Sequence, residues 1–243
     1  VRVVYDLFGV EPMQALGLSL PLMALAAATI LYGSVKALQQ REIKKRLAYS
    51  TVSQVSYITL GVAMLGPIAA VGALAHLVHQ GLMKVTLFYC AGNFAETLGI
   101  HHIREMDGVG RRMPLTMTAF TIGALGMIGV PPTAGFISKW YLGYGALDAG
   151  HDWVLLVFVL SGLLNAAYFL PLLYRGWFAK APAQWPAQSS LGNGKPGWGE
   201  THWMLLAPVL FTATLALLVG IFAGTTLSPL SWSQLIINRE FGL

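Results

Sequence analysis

Charge is what this sequence has little of. Asp, Glu, Lys and Arg make up 10% of its 243 residues, against ~25% in an ordinary water-soluble chain. A surface so poor in charge does not suit a domain that lives in water. Cysteine is nearly absent: Cys90 stands alone, which excludes an internal disulfide framework and any Cys-rich metal site. Signatures of nucleotide and hydrolytic chemistry are missing as well. There is no G-x-x-x-x-G-K-[ST], no Gly-rich dinucleotide turn, no H-E-x-x-H and no G-x-S-x-G. The opening residues VRVVYDLFGVEP hold neither a basic n-region nor an A-x-A site, so no cleavable signal peptide is expected. They begin with Val rather than Met, and we expect a fragment of something longer.

What is present is apolar. Hydrophobic residues reach 56% and the mean hydropathy is +0.63. They come in blocks long enough to span a bilayer, which takes ~20 residues at 1.5 Å each. Six stretches qualify: 13–35, 47–65, 68–93, 115–149, 153–178 and 203–222. The expected fold is therefore a single all-α integral membrane domain, multi-pass, with the bilayer as its main partner. Residues 180–201, rich in Pro, Gly, Ser and Gln, read as a surface loop. The tail after Gly224 is mildly amphipathic and carries no expected role. A net charge of +5 would suit nucleic acid. The basic residues lie mostly between apolar blocks, however, not on one solvated face, and no nucleic-acid partner is expected.

The stretch 115–149 is too long for one straight helix along the membrane normal and too short for two spans and a turn, which take ~40 residues. Charge arbitrates. Counted as one span, it puts Lys36, Arg41, Lys44, Lys45, Arg46, Arg104, Arg111, Arg112, Arg175, Lys180 and Lys195 on one side, and only Arg2 and Arg239 on the other. Counted as two, the split weakens, because Arg175, Lys180 and Lys195 change sides. The first arrangement fits the excess of Lys and Arg in cytoplasmic loops. We therefore expect six transmembrane segments in the cell inner (plasma) membrane. The 180–201 loop is then cytoplasmic, and both ends of the chain lie away from the cytoplasm.

Two basic residues belong to neither loop set. Lys84 lies sixteen residues into the third span, roughly 5 Å past its midpoint. A charge at such depth costs at least ~2.5–3.5 kcal/mol, unless the stem snorkels or the amine finds a partner. On a 3.6-residue helix, His76, His79, Gln80 and Lys84 fall within an arc of roughly 140°. Imidazole both accepts and donates a proton near neutral pH, so this face reads as a proton path. Hydrogen-bonded helix glue is the alternative. The paired histidines have no third ligand nearby, so no metal is expected.

Ser50, Ser53, Gln54 and Tyr57 share one face of the second span by their i, i+3, i+4, i+7 spacing. Asn165 and Tyr168 do the same in the fifth. Each set is either helix glue or a water-lined wall. In the fourth stretch Pro131 and Pro132 stop a helix from running through, and Gly135 follows. A backbone so broken survives in a membrane only when buried in protein or facing water. Lys139, one turn beyond Gly135, then sits beside a site of the kind transporters use near the midplane. His101 and His102 read as part of a solvated turn.

Three blocks carry a resemblance: REIKKRLAYSTVSQVSYITLG, HLVHQGLMKVTLFYCAGN and DGVGRRMPLTMTAFTIGALGMIGVPPTAGFISKWYL. Together, across about residues 41–142, they resemble the antiporter-like, proton-conducting subunits of respiratory complex I. Within that superfamily they look closest to the D-type subunit of multisubunit sodium/proton antiporters. The resemblance implies a fold of about fourteen helices with two inverted repeats of five, each holding a broken helix with a charged residue. This chain would be one five-helix half plus the final helix, without the N-terminal repeat. By motif, Lys139 takes the broken-helix position, Lys84 that of the lysine in the His-rich helix, and His76 the first family histidine. The second falls at Gln80, which cannot titrate, with His79 one place away.

The expected function is proton or cation/proton translocation as a subunit of a multisubunit sodium/proton antiporter. The alternative is a proton-pumping subunit of a complex I-type NADH:quinone oxidoreductase or related hydrogenase. Partners are other membrane subunits, and protons, with sodium a further candidate, are the cargo. No cofactor and no catalytic centre of its own are expected. A purely structural membrane subunit is the competing reading from another class. A quinone-reducing subunit would need a lipid-facing Tyr–His pair, which the sequence alone does not reveal.

Overall fold

The computed structural model describes residues 4–5, 9–185 and 200–241, and among them every regular element is helical. In chain order these are α1 (Val10–Ala15), α2 (Ser19–Gln39), α3 (Ile43–Ala63) and α4 (Pro67–Leu98). A 3-10 turn follows (Ile103–Met106), then α5 (Val109–Arg112), α6 (Pro114–Ile128) and α7 (Ala134–Asp148). The chain closes with α8 (Trp153–Phe178), α9 (Trp203–Ile221) and α10 (Pro229–Phe241).

Burial is inverted relative to a water-soluble bundle. Ser34, Ser50, Ser53, Gln54, His76, His79 and Asn165 are wholly buried, while Leu25, Leu156, Leu163, Phe178 and Phe211 are each more than 60% exposed. Apolar side chains facing outward and polar ones inward make sense when the solvent is lipid. Four helices (α2, α4, α8 and α9) are long and apolar enough to cross a membrane. The chain is a multi-pass membrane protein.

Local chemistry sets the boundaries. Pro67 and Pro114 open α4 and α6 at the first turn, where a missing N–H costs nothing. Gly99 and Gly129, with φ of 68° and 96°, close them in the left-handed region that a Cβ disfavours. The third predicted span, 68–93, extends to Leu98 because nothing in NFAETL stops a helix before Gly99. Lys84 consequently lies nearer the helix midpoint, about 2 Å past it. The first predicted span, 13–35, divides at Gly17 (φ 64°) and runs on to Gln39. The tail forms α10. The turn holding His101 and His102 leaves both imidazoles exposed, but Met106, Val109 and Gly110 just after it are buried. The predicted loop 180–201 lies outside the described residues over 186–199.

The stretch 115–149 forms two helices of 15 residues each. The interruption falls at 129–133, earlier than the expected 131–135, and Gly135 is the second residue of α7. A proline withdraws the hydrogen bond to the carbonyl four residues before it, so the damage lies upstream of Pro131 and Pro132. α4 sits at the centre of the bundle, packed on α3, α6, α7, α9 and α10. Its approach to α7 is close: a Cβ on Gly72 would collide with the backbone of Leu142, and one on Gly145 with that of Ala69.

Candidate functional site

The interruption between α6 and α7 builds the first half of the site. Had the helix continued, the amides of residues 131 and 132 would have bonded the carbonyls of Met127 and Ile128. Proline has no such amide. Lys139 Nζ reaches back from α7 and donates to those same two oxygens, at 2.6 Å to Met127 and 3.1 Å to Ile128. The prolines thus free two acceptors at the C-terminal end of α6, and a lysine takes both. The amides of Gly129 and Val130 converge on the Leu125 carbonyl at 2.9 and 3.0 Å, which ends α6 cleanly. α9 packs against one side of the break, because Gly220 lies against the backbone of 132–134 with no room for a Cβ.

Lys139 has two further neighbours. Its ammonium lies 5.4 Å from the centroid of the Tyr57 ring, a cation–π contact. A cavity of about 310 Å³ opens beside it between α7 and α8, walled by Ile128, Trp140, Leu155 and Phe158. Trp140 is 64% exposed, so this cavity approaches the outer surface of the bundle.

The second half is the polar face between α3 and α4. Lys84 Nζ donates to Ser50 Oγ and to the Leu47 carbonyl at 3.2 Å, so the two predicted stripes do meet here. His76 Nδ1 lies 2.9 Å from Ser138 Oγ on α7. Its ring is 5.4 Å from that of Tyr57, which stacks on Phe158 at 5.1 Å. Tyr57 therefore joins His76 to Lys139. The Tyr–His pair that a quinone site would require is thus present, yet both rings are wholly buried and neither faces lipid.

Eleven buried side-chain atoms lack a protein hydrogen-bond partner among the described residues, and seven lie on this face. They are both amide atoms of Gln54, the Tyr57 hydroxyl, His76 Nε2, both ring nitrogens of His79, and Gln80 Oε1. Buried polar atoms are nearly always satisfied by protein or by water. A cluster of them on two neighbouring helices is a place for ordered water.

Other predicted residues divide between the two roles left open. Asn165 donates to the Met127 carbonyl at 3.3 Å and accepts the Tyr168 hydroxyl, so α8 shares an acceptor with Lys139. Ser53 bonds Ser34 at 2.9 Å, and Ser34 lies 3.3 Å from Ser161. These tie α2, α3 and α8 together as glue. Sequence reasoning missed Ser34, Ser138 and Ser161, since a lone serine in an apolar run carries no signal. It also counted Arg46 as a loop charge, although the residue is 8% exposed. Among the described residues no three His, Cys, Asp or Glu side chains converge as a metal site would need.

Residues 6–165 match the family model described as NADH:quinone oxidoreductase/Mrp antiporter, TM. Among curated relatives, NADH-quinone oxidoreductase subunit N of Desulforudis audaxviator is 40% identical over 203 residues, covering 82% of this chain and 40% of the relative. The A/B subunit of a probable K(+)/H(+) antiporter of Rhizobium meliloti is 31% identical over 218 residues, covering 87% of this chain and 21% of the relative. Respiratory complex I from Thermus thermophilus with bound NADH contains a chain that superposes with a TM-score of 0.76 at 25% identity, covering 97% of this chain and 46% of that one. The Mrp complex from Dietzia sp. DQ12-45-1b gives 0.73 at 24%, with 92% and 47% covered, a likeness of fold. This chain spans less than half the length of each of them.

Proposed function

This chain belongs to the NADH:quinone oxidoreductase/Mrp antiporter membrane family, and we propose that it carries protons across the membrane as one subunit of a larger assembly. The proton path runs through Lys84, Gln80, His79 and His76 to Lys139, lined by Ser50, Gln54 and Tyr57 from α3 and by Asn165 and Tyr168 from α8. The observation that carries it is the row of unpartnered polar atoms on α3 and α4, where α3 meets Lys84 through Ser50 and Lys139 through Tyr57, and neither lysine pairs with a carboxylate among the described residues. A structural subunit would have no use for such a row, because each unpaired buried group costs ~1–3 kcal/mol.

The wider architecture follows the same reading. Residues 1–243 form one membrane domain of six spans, the fourth being α6 and α7 with the Pro131–Pro132 interruption between them, and correspond to a five-helix half plus a final helix. Lys and Arg collect on the cytoplasmic face of the inner membrane, with the 180–201 loop. Both ends of the chain lie on the other face. For the assembly, the relatives' names favour a complex I-type oxidoreductase, since several are subunit N of such enzymes. The D-type subunit of a sodium/proton antiporter is the narrower alternative.

The test is proton flux in proteoliposomes holding the protein with its partner subunits. Lys84→Ala should lower flux at least about tenfold, a barrier rise of ~1.4 kcal/mol. Unchanged flux would leave only the scaffold reading standing.

A further inference from the structure

Arg46 carries a buried charge that no carboxylate answers among the described residues. Its guanidinium donates to three carbonyl oxygens: Leu38 at 3.0 Å and Gln40 at 2.7 Å where α2 ends, and Tyr168 of α8 at 2.9 Å. Carbonyls at a helix C-terminus ease a positive charge without neutralising it. Beside Arg46 lies a cavity of about 270 Å³ whose wall also carries Arg41, His102, Arg104 and Arg175. The acids in reach are engaged. Asp107 pairs with Arg175 at 2.9 Å, Glu42 with Lys45 at 2.7 Å, and Glu105 accepts the amides of His101 and His102 at 2.8 Å each. Among the described residues no carboxylate pairs with Arg41, Arg46 or Arg104. A concave site with this much uncompensated positive charge calls for an anion.

Its place in the fold says which anion. The cavity lies where α2 ends, α3 begins and α8 nears its end, so it stands at the level of the membrane surface. Next to it the outer wall is apolar: Leu38 of α2 is 40% exposed and Tyr174 of α8 is 65% exposed, and these two helices pack together. Arginine's planar fork matches phosphate oxygens, and basic pockets between helices on the cytoplasmic side of a membrane hold phosphate headgroups. We propose that this cavity binds the phosphate of an anionic phospholipid, with the acyl chains lying along α2 and α8. A carboxylate from a neighbouring protein would meet the charge but would have no need of the adjoining apolar wall. The proposal rests on the membrane reading of the chain and is independent of the proton path.

Native mass spectrometry of the intact protein in mild detergent tests it, with phosphatidylglycerol and phosphatidylcholine offered in turn. The parent should retain phosphatidylglycerol and release phosphatidylcholine. Each arginine near an anionic lipid contributes about fivefold in affinity. The double variant Arg41→Gln, Arg104→Gln, at two exposed positions away from the proton path, should therefore bind phosphatidylglycerol about 25-fold more weakly. The charge-keeping pair Arg41→Lys, Arg104→Lys should keep most of the binding. Equal retention of the two lipids by the parent, or parental binding in the Gln pair, overturns the proposal. So does a loss in the Lys pair as deep as in the Gln pair. Full displacement of the lipid by millimolar inorganic phosphate would make the site one for free phosphate and overturn the lipid assignment.

Discussion

Replacing Lys139 by arginine separates the charge at the break from the proton it carries. The amine makes two charge-assisted hydrogen bonds, at 2.6 and 3.1 Å, to the carbonyls the prolines leave free. Bonds of that kind contribute ~1.5–3 kcal/mol each, so Lys139→Ala would forfeit on the order of 3 kcal/mol or more. It would also strand the Ile128 carbonyl, whereas Met127 would keep Asn165 at 3.3 Å. Lost flux in the alanine variant would then mix mechanism with stability. Arginine avoids this. Its donors reach the same carbonyls, the neighbouring 310 Å³ cavity gives the larger head group room, and the Tyr57 face still meets a cation. Assembly and melting temperature should stay close to the parent's. Guanidinium does not release its proton in the working pH range, so flux across proteoliposomes, read with an entrapped pH dye, should fall at least about tenfold. Lys139→Glu restores a titratable group and should recover part of it. Parental flux in the arginine variant would show that Lys139 supplies fixed charge only, and the relay role would be lost.

Restoring the two missing amides should compete with Lys139 for its acceptors. In Pro131→Ala, Pro132→Ala we expect α6 to continue past Ile128 and flux to drop about as far as in Lys139→Arg, whereas flux at the parental level would mean that the prolines serve only the turn. His79 is wholly buried with neither ring nitrogen partnered, so His79→Ala should depress flux as much as Lys84→Ala; near-normal flux would mean that Gln80 and water bridge the gap. Cysteines placed at positions 112 and 152 should label from opposite sides of the membrane, and labelling from one side would rule out a single interrupted span.

Much of the fold was legible because lipid demands long apolar runs, and these survive in a single sequence. What escaped was anything decided between helices. Periodicity put Ser50 and Gln54 on one face and His76 to Lys84 on another, but only packing shows that Lys84 meets Ser50 or that His76 meets Ser138. The position of the break was misjudged by about two residues, because a proline acts on a carbonyl four places upstream. Gly135 reads in the sequence as part of that break. In the fold its role is close approach: a Cβ there would collide with the Gly126 carbonyl on the facing half-helix. Arg46 was hidden because a cation next to Lys44 and Lys45 looks like a loop charge until three carbonyls are found around it.

Both internal cations beside a proline are held in a similar way. Pro171 withdraws an amide from the Ala167 carbonyl in α8 and loosens that turn, and Arg46 donates to the next carbonyl along, that of Tyr168. Pro131 and Pro132 withdraw theirs from Met127 and Ile128, and Lys139 donates to both. In each case backbone dipoles hold the charge, and no carboxylate among the described residues does. The difference matters most at Lys139. Two unit charges in a medium of low dielectric attract strongly, and a lysine paired to a carboxylate could lose its proton only by leaving that carboxylate buried and alone, at several kcal/mol. A carbonyl dipole is a weaker partner, and Met127 retains the Asn165 amide when the ammonium becomes neutral. A lysine seated on freed carbonyls can therefore be half-buried in the bundle and still able to give its proton away, which is the property a relay requires of it.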